Sequence, residues 1–212
     1  MTTSTSEYYT YRVAEGHGLR HDPFGSLIMP RPIGWISSQS ASGVLNLAPY
    51  SFFNAFSYEP PIIGFTSIGW KDTAQNIAET GEFVWNLATR SLSNQMNLSS
   101  VEVSGEINEF DYAGLDTAPS EEVSAPRVRL APAAMECRHT QTLRLTDLDG
   151  NEADSWLIFG QVIVVHIHKD LISNDIVRTE LAEPIGRGGG KDYFIASDAA
   201  RFSLQRPRRP NN

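Results

Sequence analysis

The segment PRPIGWISSQSASGVLNLAPYSFFNAFSYEPPIIGFTSIGWKDT, residues 30–73, contains two β-type runs joined by a small, Pro-marked connection. The first run, Ile33–Ser38, ends at a polar turn over Gln39–Gly43, and the second run is Ile62–Ser67. The connection is Asn46–Asn54, and a helix is predicted to start at Lys71–Thr73. Hydroxyls, amides and one lysine recur where the strands end. This layout suits a ligand with a flat polar ring and a phosphate.

The best-marked helix in the sequence is Thr73–Thr80. Asp72 precedes it as a suitable N-cap, Gln75 stands three residues further on as in a capping box, and Gly81 follows the last turn. The stretch Leu45–Phe56 has no clear period, so a strand followed by an irregular turn or a short helix is expected there.

Strand patterns dominate the rest of the chain. Gly160 interrupts the longest of them and indicates a bulge or bend, while Gly186–Gly190 is expected to be a flexible loop. The spacing predicts a mainly β fold with helical attachments, as a closed barrel rather than a doubly wound sheet. The further predicted strands are Phe83–Leu87, Ala134–Leu145 and Trp156–His168, and a weaker helix is predicted over Leu92–Leu98.

The predicted domain organisation is one body with two extensions. Residues 1–24 form an N-terminal extension, 25–200 form the body, and 201–212 form a basic tail. Within the body, the polar stretch 101–126 is interpreted as an insertion that leaves the core, with a helix around Ile107–Tyr112.

The composition is that of an ordinary globular protein, with 212 residues, 41% hydrophobic and 20% charged. The formal net charge of -8 argues against a general nucleic-acid binder. The lone Cys137 precludes an internal disulfide and fits a reducing compartment, so we expect a cytoplasmic protein. No apolar run reaches the roughly 18 residues of a membrane helix, and the first residues lack the apolar core of a secretion signal.

A phosphate site is the first functional hypothesis. Ser67 ends a strand, Lys71 and Thr73 flank the helix start, and free N–H groups there attract anions. The alternative is an ordinary strand–turn–helix junction with Lys71 in water, since such junctions are common.

A second hypothesis concerns the connection between the two strands. Asn46, Ser51 and Asn54 have side chains that can hydrogen-bond the edge of a polar ring, and Ala48 and Pro49 allow a ligand close to the backbone. Turn chemistry, in which Asn and Ser close local hydrogen bonds, explains the same residues.

Other candidate reactive residues favour structural roles. His166 and His168 share one strand face, but no third metal ligand is evident, so surface histidines are the simpler interpretation and no metal is expected. Cys137 is interpreted as a buried small side chain, although a catalytic thiol would have His139 on its side of the strand. No catalytic acid, base or nucleophile stands out.

Taken together, several motifs resemble the flavin reductase-like, FMN-binding split-barrel family, with its flavoredoxin-like branch nearest. The resemblance runs roughly from Gly25 to Ile195. The motifs are specific as an ordered series, whereas each alone is weak. They are RPIGWISS, NLAPYSFFNAFSYEPPIIGFTS, KDTAQNIAETGEFVWNL, MECRHTQTLRL, SWLIFGQVIVVHI and PIGRGGGKDYF.

The resemblance implies a six-stranded antiparallel split barrel, non-covalent FMN, and a homodimer with the flavin near the subunit interface. NADH or NADPH would supply hydride, and free flavin, an electron-accepting partner or a monooxygenase would receive the electrons. Trp35 or Phe53 would stack on the flat ring. By similarity, the ring and ribityl chain would be lined by Trp35, Ile36, Ser37, Ser38, Asn46, Ala48, Ser51, Phe53 and Asn54, the phosphate would be held by Ser67, Lys71 and Thr73, and Arg187 would close over the site.

One departure from the family pattern bears on the reaction. Reductases that feed two-component monooxygenases carry Gly-Asp-His ahead of the long strand, where this chain has Ala153-Asp154-Ser155-Trp156. The histidine that handles nicotinamide is therefore missing, with Trp156 in its place. Three hypotheses follow: an NAD(P)H-dependent FMN oxidoreductase, an FMN electron carrier without a nicotinamide reaction, and a metal-binding or structural β-barrel.

Overall fold

The structure, a computed structural model, describes residues 7–101 and 107–207. The fold is mainly β with short helices, as predicted. The strands are β1 (Arg31–Pro32), β2 (Gly34–Gln39), β3 (Leu45–Tyr50), β4 (Phe53–Tyr58), β5 (Pro61–Ile68), β6 (Glu82–Asn86), β7 (Thr117–Ala118), β8 (Arg127–Val128), β9 (Ala133–Thr146), β10 (Glu152–Ile167), β11 (Ile172–Ser173), β12 (Ile176–Val177), β13 (Ile185–Arg187) and β14 (Tyr193–Ile195). The helices are α1 (Phe24–Leu27), α2 (Asp72–Thr80), α3 (Ser93–Leu98) and α4 (Glu109–Tyr112).

The main sheet has seven antiparallel strands in the order β3-β2-β6-β9-β10-β5-β4. Six strands were expected, and the difference arises in the connection Asn46–Asn54. Most of that connection belongs to β3 and β4. The expected strand is confirmed as β3, the irregular turn is limited to Ser51 and Phe52, and a second strand stands where a short helix was the alternative. Pro49 is tolerated in β3 because this strand lies at the end of the sheet order and needs fewer backbone donors.

The two ends of the sheet order are joined by a corner of two residues, Ser51 and Phe52. The Thr66 N–H donates to the Phe52 carbonyl at 2.8 Å, which ties the corner to β5. Gly34 on β2 faces the Phe53 ring, and a Cβ added at Gly34 would lie 2.8 Å from Phe53 Cδ2. Gly34 thus lets β4 approach β2, and the sheet curls toward closure.

Successive side chains along β2 and at Ile33, just before it, point to opposite faces of the sheet, as in any strand. Ile33 and Trp35 pack into one buried cluster, which also takes Phe110 from the insertion. Ile36 points the other way, into a second cluster that includes Phe65 and Cys137. Burial raises the pKa of the Cys137 thiol, with the Glu136 charge adding to the effect, which supports the prediction of a buried, unreactive side chain.

Helix α2 confirms the predicted Thr73–Thr80 element but not its predicted cap. The N-cap residue is Lys71, with no side-chain capping bond, and Asp72 is already helical. Gln75 does not form a capping box, because its Nε2 donates to Glu79 Oε1 at 2.8 Å. Gly81 does end the helix in the left-handed region, with φ of 74°.

The bulge predicted at Gly160 is present as a register shift between Phe159 and Gly160 against β9. A Cβ at Gly160 would lie 2.4 Å from Phe83 Cε1, so the absence of a side chain allows this ring to pack.

Glycine-rich residues near the C-terminus are more ordered than predicted. Gly186 and Arg187 belong to β13, which pairs with both β1 and β14, so the expected flexible loop is limited to the turn before β14. Tail residues 201–207 are exposed coil, and the rest of the predicted tail, like residues 1–6, lies outside the described residues. Within 7–101 and 107–207, no helix combines the length and apolar character needed to cross a membrane.

The insertion is fastened to the sheet by a buried carboxylate. Glu136 on β9 is fully buried and accepts hydrogen bonds from the backbone N–H groups of Glu121 and Glu122, each at 2.7 Å. His166 Nε2 lies 2.6 Å from Glu136 Oε1. The helix predicted at Ile107–Tyr112 appears as α4, while residues 102–106 lie outside the described part of the chain.

Protonation of Glu136 is expected to loosen this attachment in acid. Burial raises its pKa, but the hydrogen bonds from Glu121, His166 and Glu122 outweigh burial, so the pKa lies below the ordinary value of 4.5. Stability from this group is therefore full above about pH 4.5 and is lost as pH falls through the folded pKa. Urea titrations at several pH values give the free energy of unfolding as a function of pH. In Glu136→Gln this free energy should fall less steeply in acid than in the wild type. Exposed Glu122→Gln is the control, and an unchanged acid limb in Glu136→Gln would contradict the assignment.

Candidate functional site

A hollow of about 360 Å³ opens at the start of α2, and we call it the helix-start hollow. It brings together β3, the first turn of α2, the end of α3 and the insertion helix α4. Its lining is Asn46, Ala48, Pro49, Tyr50, Lys71, Asp72, Thr73, Ser99, Ser100, Val101 and Glu109.

A second hollow of about 410 Å³, the arginine hollow, adjoins the first through Pro49 and Ser100, which line both. Of the described residues that line it, none is acidic. The two hollows together form a continuous cleft along β3. The arginine hollow is lined by Gly25, Arg31, Ile33, Pro49, Ser51, Met96, Asn97, Ser100, Arg187, Gly188, Gly190 and Tyr193.

Asn46 is the hub of hydrogen bonding in the helix-start hollow. Its Oδ1 accepts from the hydroxyl of Thr73 at 2.6 Å and from that of Ser38 at 3.2 Å. Its Nδ2 donates to Glu109 Oε1 at 3.2 Å. Asn76 on α2 donates to Ser38 Oγ at 3.2 Å and so supports the network from behind. The amide orientation of Asn46 is therefore set by both of its ends.

Glu109 was not predicted, and it places a buried carboxylate in the wall of this hollow. Besides the Asn46 contact, its Oε2 accepts from the Leu47 N–H at 3.1 Å. Burial raises the pKa of Glu109 above its ordinary value despite these hydrogen bonds. The residue lies in the insertion, where no motif marks it, and α4 delivers it because Phe110 anchors the helix in the core.

Tyr50 supplies a neutral hydroxyl at the floor of the hollow. Burial raises its pKa to about 12, although hydrogen bonds with Thr73 and Ser67 lower the pKa in part. The phenol thus stays protonated at neutral pH and acts as a hydrogen-bonding group rather than a base.

The chemistry of the helix-start hollow fits a phosphate group. Within residues 7–101 and 107–207, no side chain caps the first turn of α2, so its N–H groups can face an anion, and Lys71 and Thr73 lie beside them. The carboxylates of Asp72 and Glu109 in the wall of the hollow oppose an anion.

The arginine hollow holds two guanidinium groups. Arg187 lies with its guanidinium carbon 4.7 Å from the Tyr193 ring centroid and donates to the Tyr193 hydroxyl and the Gly190 carbonyl. Arg31 donates to the carbonyls of Ile28 and Gly188, which ties the α1 region to the glycine turn. Arg31 was missed although it begins the RPIGWISS motif, because only the later residues of that motif, from Trp35 on, were assigned to the site.

Four predicted site residues on β2 point into the core instead of the cleft. Trp35 is fully buried and its indole Nε1 donates to Ser99 Oγ at 3.0 Å, so its ring offers no face to a ligand. Ile36 packs in the second core cluster. Ser37 bonds the Pro126 carbonyl, which holds the insertion, and Ser38 bonds Asn46 and Asn76. The predicted stacking by Trp35 is therefore corrected to a packing role.

Three further predicted residues lie outside both hollows. Phe53 stacks on Trp85, with centroids 5.9 Å apart, which occupies a face expected for a flavin ring. Asn54 is exposed on β4, and its Oδ1 accepts from the Ala55 N–H. Ser67 is fully buried and donates to the Gly69 carbonyl at 2.7 Å, so it supports the turn into α2 and reaches the hollow only through its hydrogen bond with Tyr50.

The strand histidines show no metal-binding arrangement. His166 bonds Glu136, and the ring Nδ1 of His168 accepts from the Asp170 N–H at 3.4 Å. Among residues 7–101 and 107–207, no group of three or more His, Cys, Asp or Glu side chains is placed to hold a metal ion.

Comparison with known sequences matches residues 24–179 to the flavin reductase like domain. An uncharacterized protein of Aquifex aeolicus is 35% identical over 184 residues, covering 84% of this chain and 90% of that protein. An uncharacterized protein of Halalkalibacterium halodurans is 36% identical over 186 residues, covering 85% and 87%.

Solved structures agree with this match. Nitrilotriacetate monooxygenase component B from Bacillus cereus superposes with a TM-score of 0.78 at 31% identity, covering 85% of this chain and 90% of that one. Pseudomonas fluorescens 2-nitrobenzoate 2-nitroreductase gives 0.77 at 29% identity, covering 89% and 90%. Flavoredoxin of Desulfovibrio vulgaris, at 0.72 and 17% identity with coverage of 84% and 91%, shares the fold. The chain belongs to the flavin reductase-like domain family and is a flavin reductase-like oxidoreductase.

Proposed function

We propose that the chain binds FMN non-covalently along the cleft and passes electrons from NADH or NADPH to a flavin or an electron-accepting partner. One observation carries the proposal. Three separate segments of sequence contribute predicted site residues to the two adjoining hollows, which no single local motif would require. These residues are Asn46, Ala48, Ser51, Lys71, Thr73 and Arg187.

The two ends of the cleft bind different parts of the ligand. Lys71 and the first N–H groups of α2 hold the phosphate, each charge-assisted bond contributing about 1.5–3 kcal/mol, and Thr73 beside them holds Asn46 in place through its hydroxyl. Asn46 and Ser51 hydrogen-bond the polar parts of the ligand, and Ala48 permits close approach to β3. Arg187 closes the far end of the cleft. Bound FMN supplies the redox chemistry, so the chain needs no catalytic acid or base of its own.

We also propose a homodimer and a cytoplasmic location, which the family resemblance and the lone Cys137 suggested. An electron-accepting partner is proposed because a structural neighbour is named as a component of a monooxygenase. In such a pair the reductase delivers electrons to a second enzyme.

Purified protein is expected to be yellow, or to become yellow on adding FMN, and to bleach on adding NADH or NADPH without oxygen. The measurement is a visible absorption spectrum before and after each addition. A colourless protein that does not bind added FMN would refute the proposed function.

An electron carrier that does not react with nicotinamide is the second candidate. It is favoured by the stretch Ala153-Asp154-Ser155-Trp156, where Trp156 lies opposite Ser67 on β5 and no histidine is present. Yellow protein that bleaches with dithionite, but with neither NADH nor NADPH, would select this candidate over the first.

A further inference from the structure

An aromatic pair stands on the surface next to the helix-start hollow. Trp70, in the turn between β5 and α2, is 45% exposed although it is a large indole. Its ring meets that of Trp156 edge to face, with centroids 5.5 Å apart and planes at 71°. Trp70 thus presents aromatic surface to solvent while its partner fixes its position.

The pair is held in place from the other side. The Arg144 guanidinium carbon lies 5.0 Å from the Trp156 ring centroid, and its Nε donates to the Ala153 carbonyl at 3.0 Å. Arg144 is itself paired with Glu152. Trp70 is held by Trp156, which is held by Arg144. The Trp70 side chain therefore loses little conformational freedom when a flat ring stacks on it.

Lys71 links this aromatic pair to the helix-start hollow. It follows Trp70 in the chain and lines the hollow. Its Cε and Asp154 Oδ2 lie 3.7 and 3.9 Å from the position that a Cβ on Gly69 would occupy. The Lys71 side chain therefore passes beside the turn that carries Trp70, and a phosphate bound by Lys71 has an aromatic surface as its neighbour.

We propose that Trp70 is a stacking site for the adenine base of an ADP moiety whose phosphates reach Lys71. The proposal rests on the proposed function for the role of Lys71. Adenine is flat and has a π-face that stacks on tryptophan, and a diphosphate supplies charge for the ammonium. Two ligands carry this moiety, FAD and the nicotinamide dinucleotides, and both contain the same recognised chemistry.

The direct test is a calorimetric titration of the full-length protein with ADP. ADP is expected to bind the wild type, and Trp70→Ala should weaken it about tenfold, in line with the loss of one base-stacking contact. Trp70→Phe should retain most of the affinity because it keeps a ring. Tyr58→Ala, which removes another highly exposed aromatic at the end of β4, is the matched control and should leave ADP binding unchanged.

Competition distinguishes the two sources of the moiety. If FAD is the ligand, FAD should bind about tenfold more tightly than FMN, and Trp70→Ala should abolish that difference without changing FMN affinity. If the nicotinamide dinucleotide is the ligand, ADP should compete with NADH or NADPH, and FAD should bind no more tightly than FMN.

No saturable ADP binding to the wild type, or equal ADP affinity in wild type and Trp70→Ala, would overturn the proposal. The proposal would also be overturned if Trp70→Ala changed the oligomeric state and left ADP affinity unchanged. That result would assign Trp70 to a contact between copies of the chain. FMN titration separates this result from the proposed function, because FMN binding with no ADP binding overturns only the adenine site.

Discussion

Lys71→Ala is expected to weaken FMN binding roughly 10- to 150-fold, equivalent to about 1.5–3 kcal/mol for the loss of one charge-assisted hydrogen bond. The residue lies beside the first turn of α2, and among the described residues that line the helix-start hollow it is the one with a positively charged side chain. Fluorescence quenching of FMN during titration with protein measures the effect. Riboflavin, which has no phosphate, should bind wild type and Lys71→Ala equally.

Lys169→Ala provides the matched control for this experiment. Lys169 is an exposed lysine that lines neither hollow, so its removal changes net charge without touching the cleft. Equal FMN affinity in wild type and Lys71→Ala would remove Lys71 from the phosphate site. A similar loss in both lysine variants would indicate general electrostatic attraction rather than a specific contact.

Trp35→Ala is expected to lower the free energy of unfolding by about 3–5 kcal/mol, the usual cost of deleting a large buried aromatic side chain. Trp35 is fully buried and its indole bonds Ser99, so the substitution leaves both a cavity and a buried hydroxyl without that donor. Urea titration measures the loss. Tyr58→Ala, on an exposed ring, should stay within about 0.5 kcal/mol of wild type.

The milder Trp35→Phe tests the corrected role of this residue. It should lose stability but bind FMN within about threefold of wild type, since the indole packs in the core and a threefold change corresponds to less than 1 kcal/mol. A large loss of FMN affinity with normal stability would restore Trp35 to the binding site and contradict the packing role.

The strands were predictable because their apolar residues alternate with the period of a sheet, as along β2, and because glycines mark real constraints. Gly160 sits at a bulge and Gly81 at a helix end, where local chemistry alone indicates the outcome. The connection Asn46–Asn54 was not predictable in the same way. Pro49 argues against a strand locally, whereas its place at the sheet edge, a tertiary property, makes the strand possible.

For the candidate site, sequence patterns identified which segments meet but not which side chains face the cleft. Along β2 every polar residue is a plausible contact, yet Ser37 and Ser38 turn inward to hold the insertion and Asn46. Glu109 escaped notice because its position depends on Phe110 packing at long range. Orientation and distant contacts are set by packing, which a local pattern does not encode.

The corner at Ser51 and Phe52 has a consequence for remodelling the protein. Because this single turn connects the strands at both margins of the sheet, lengthening it by one residue would displace the two margins together. Ligand preference should therefore be easier to re-engineer at the turn before β14, which borders the cleft without tying those margins. Directed libraries placed there would sample new acceptors while the scaffold keeps its shape.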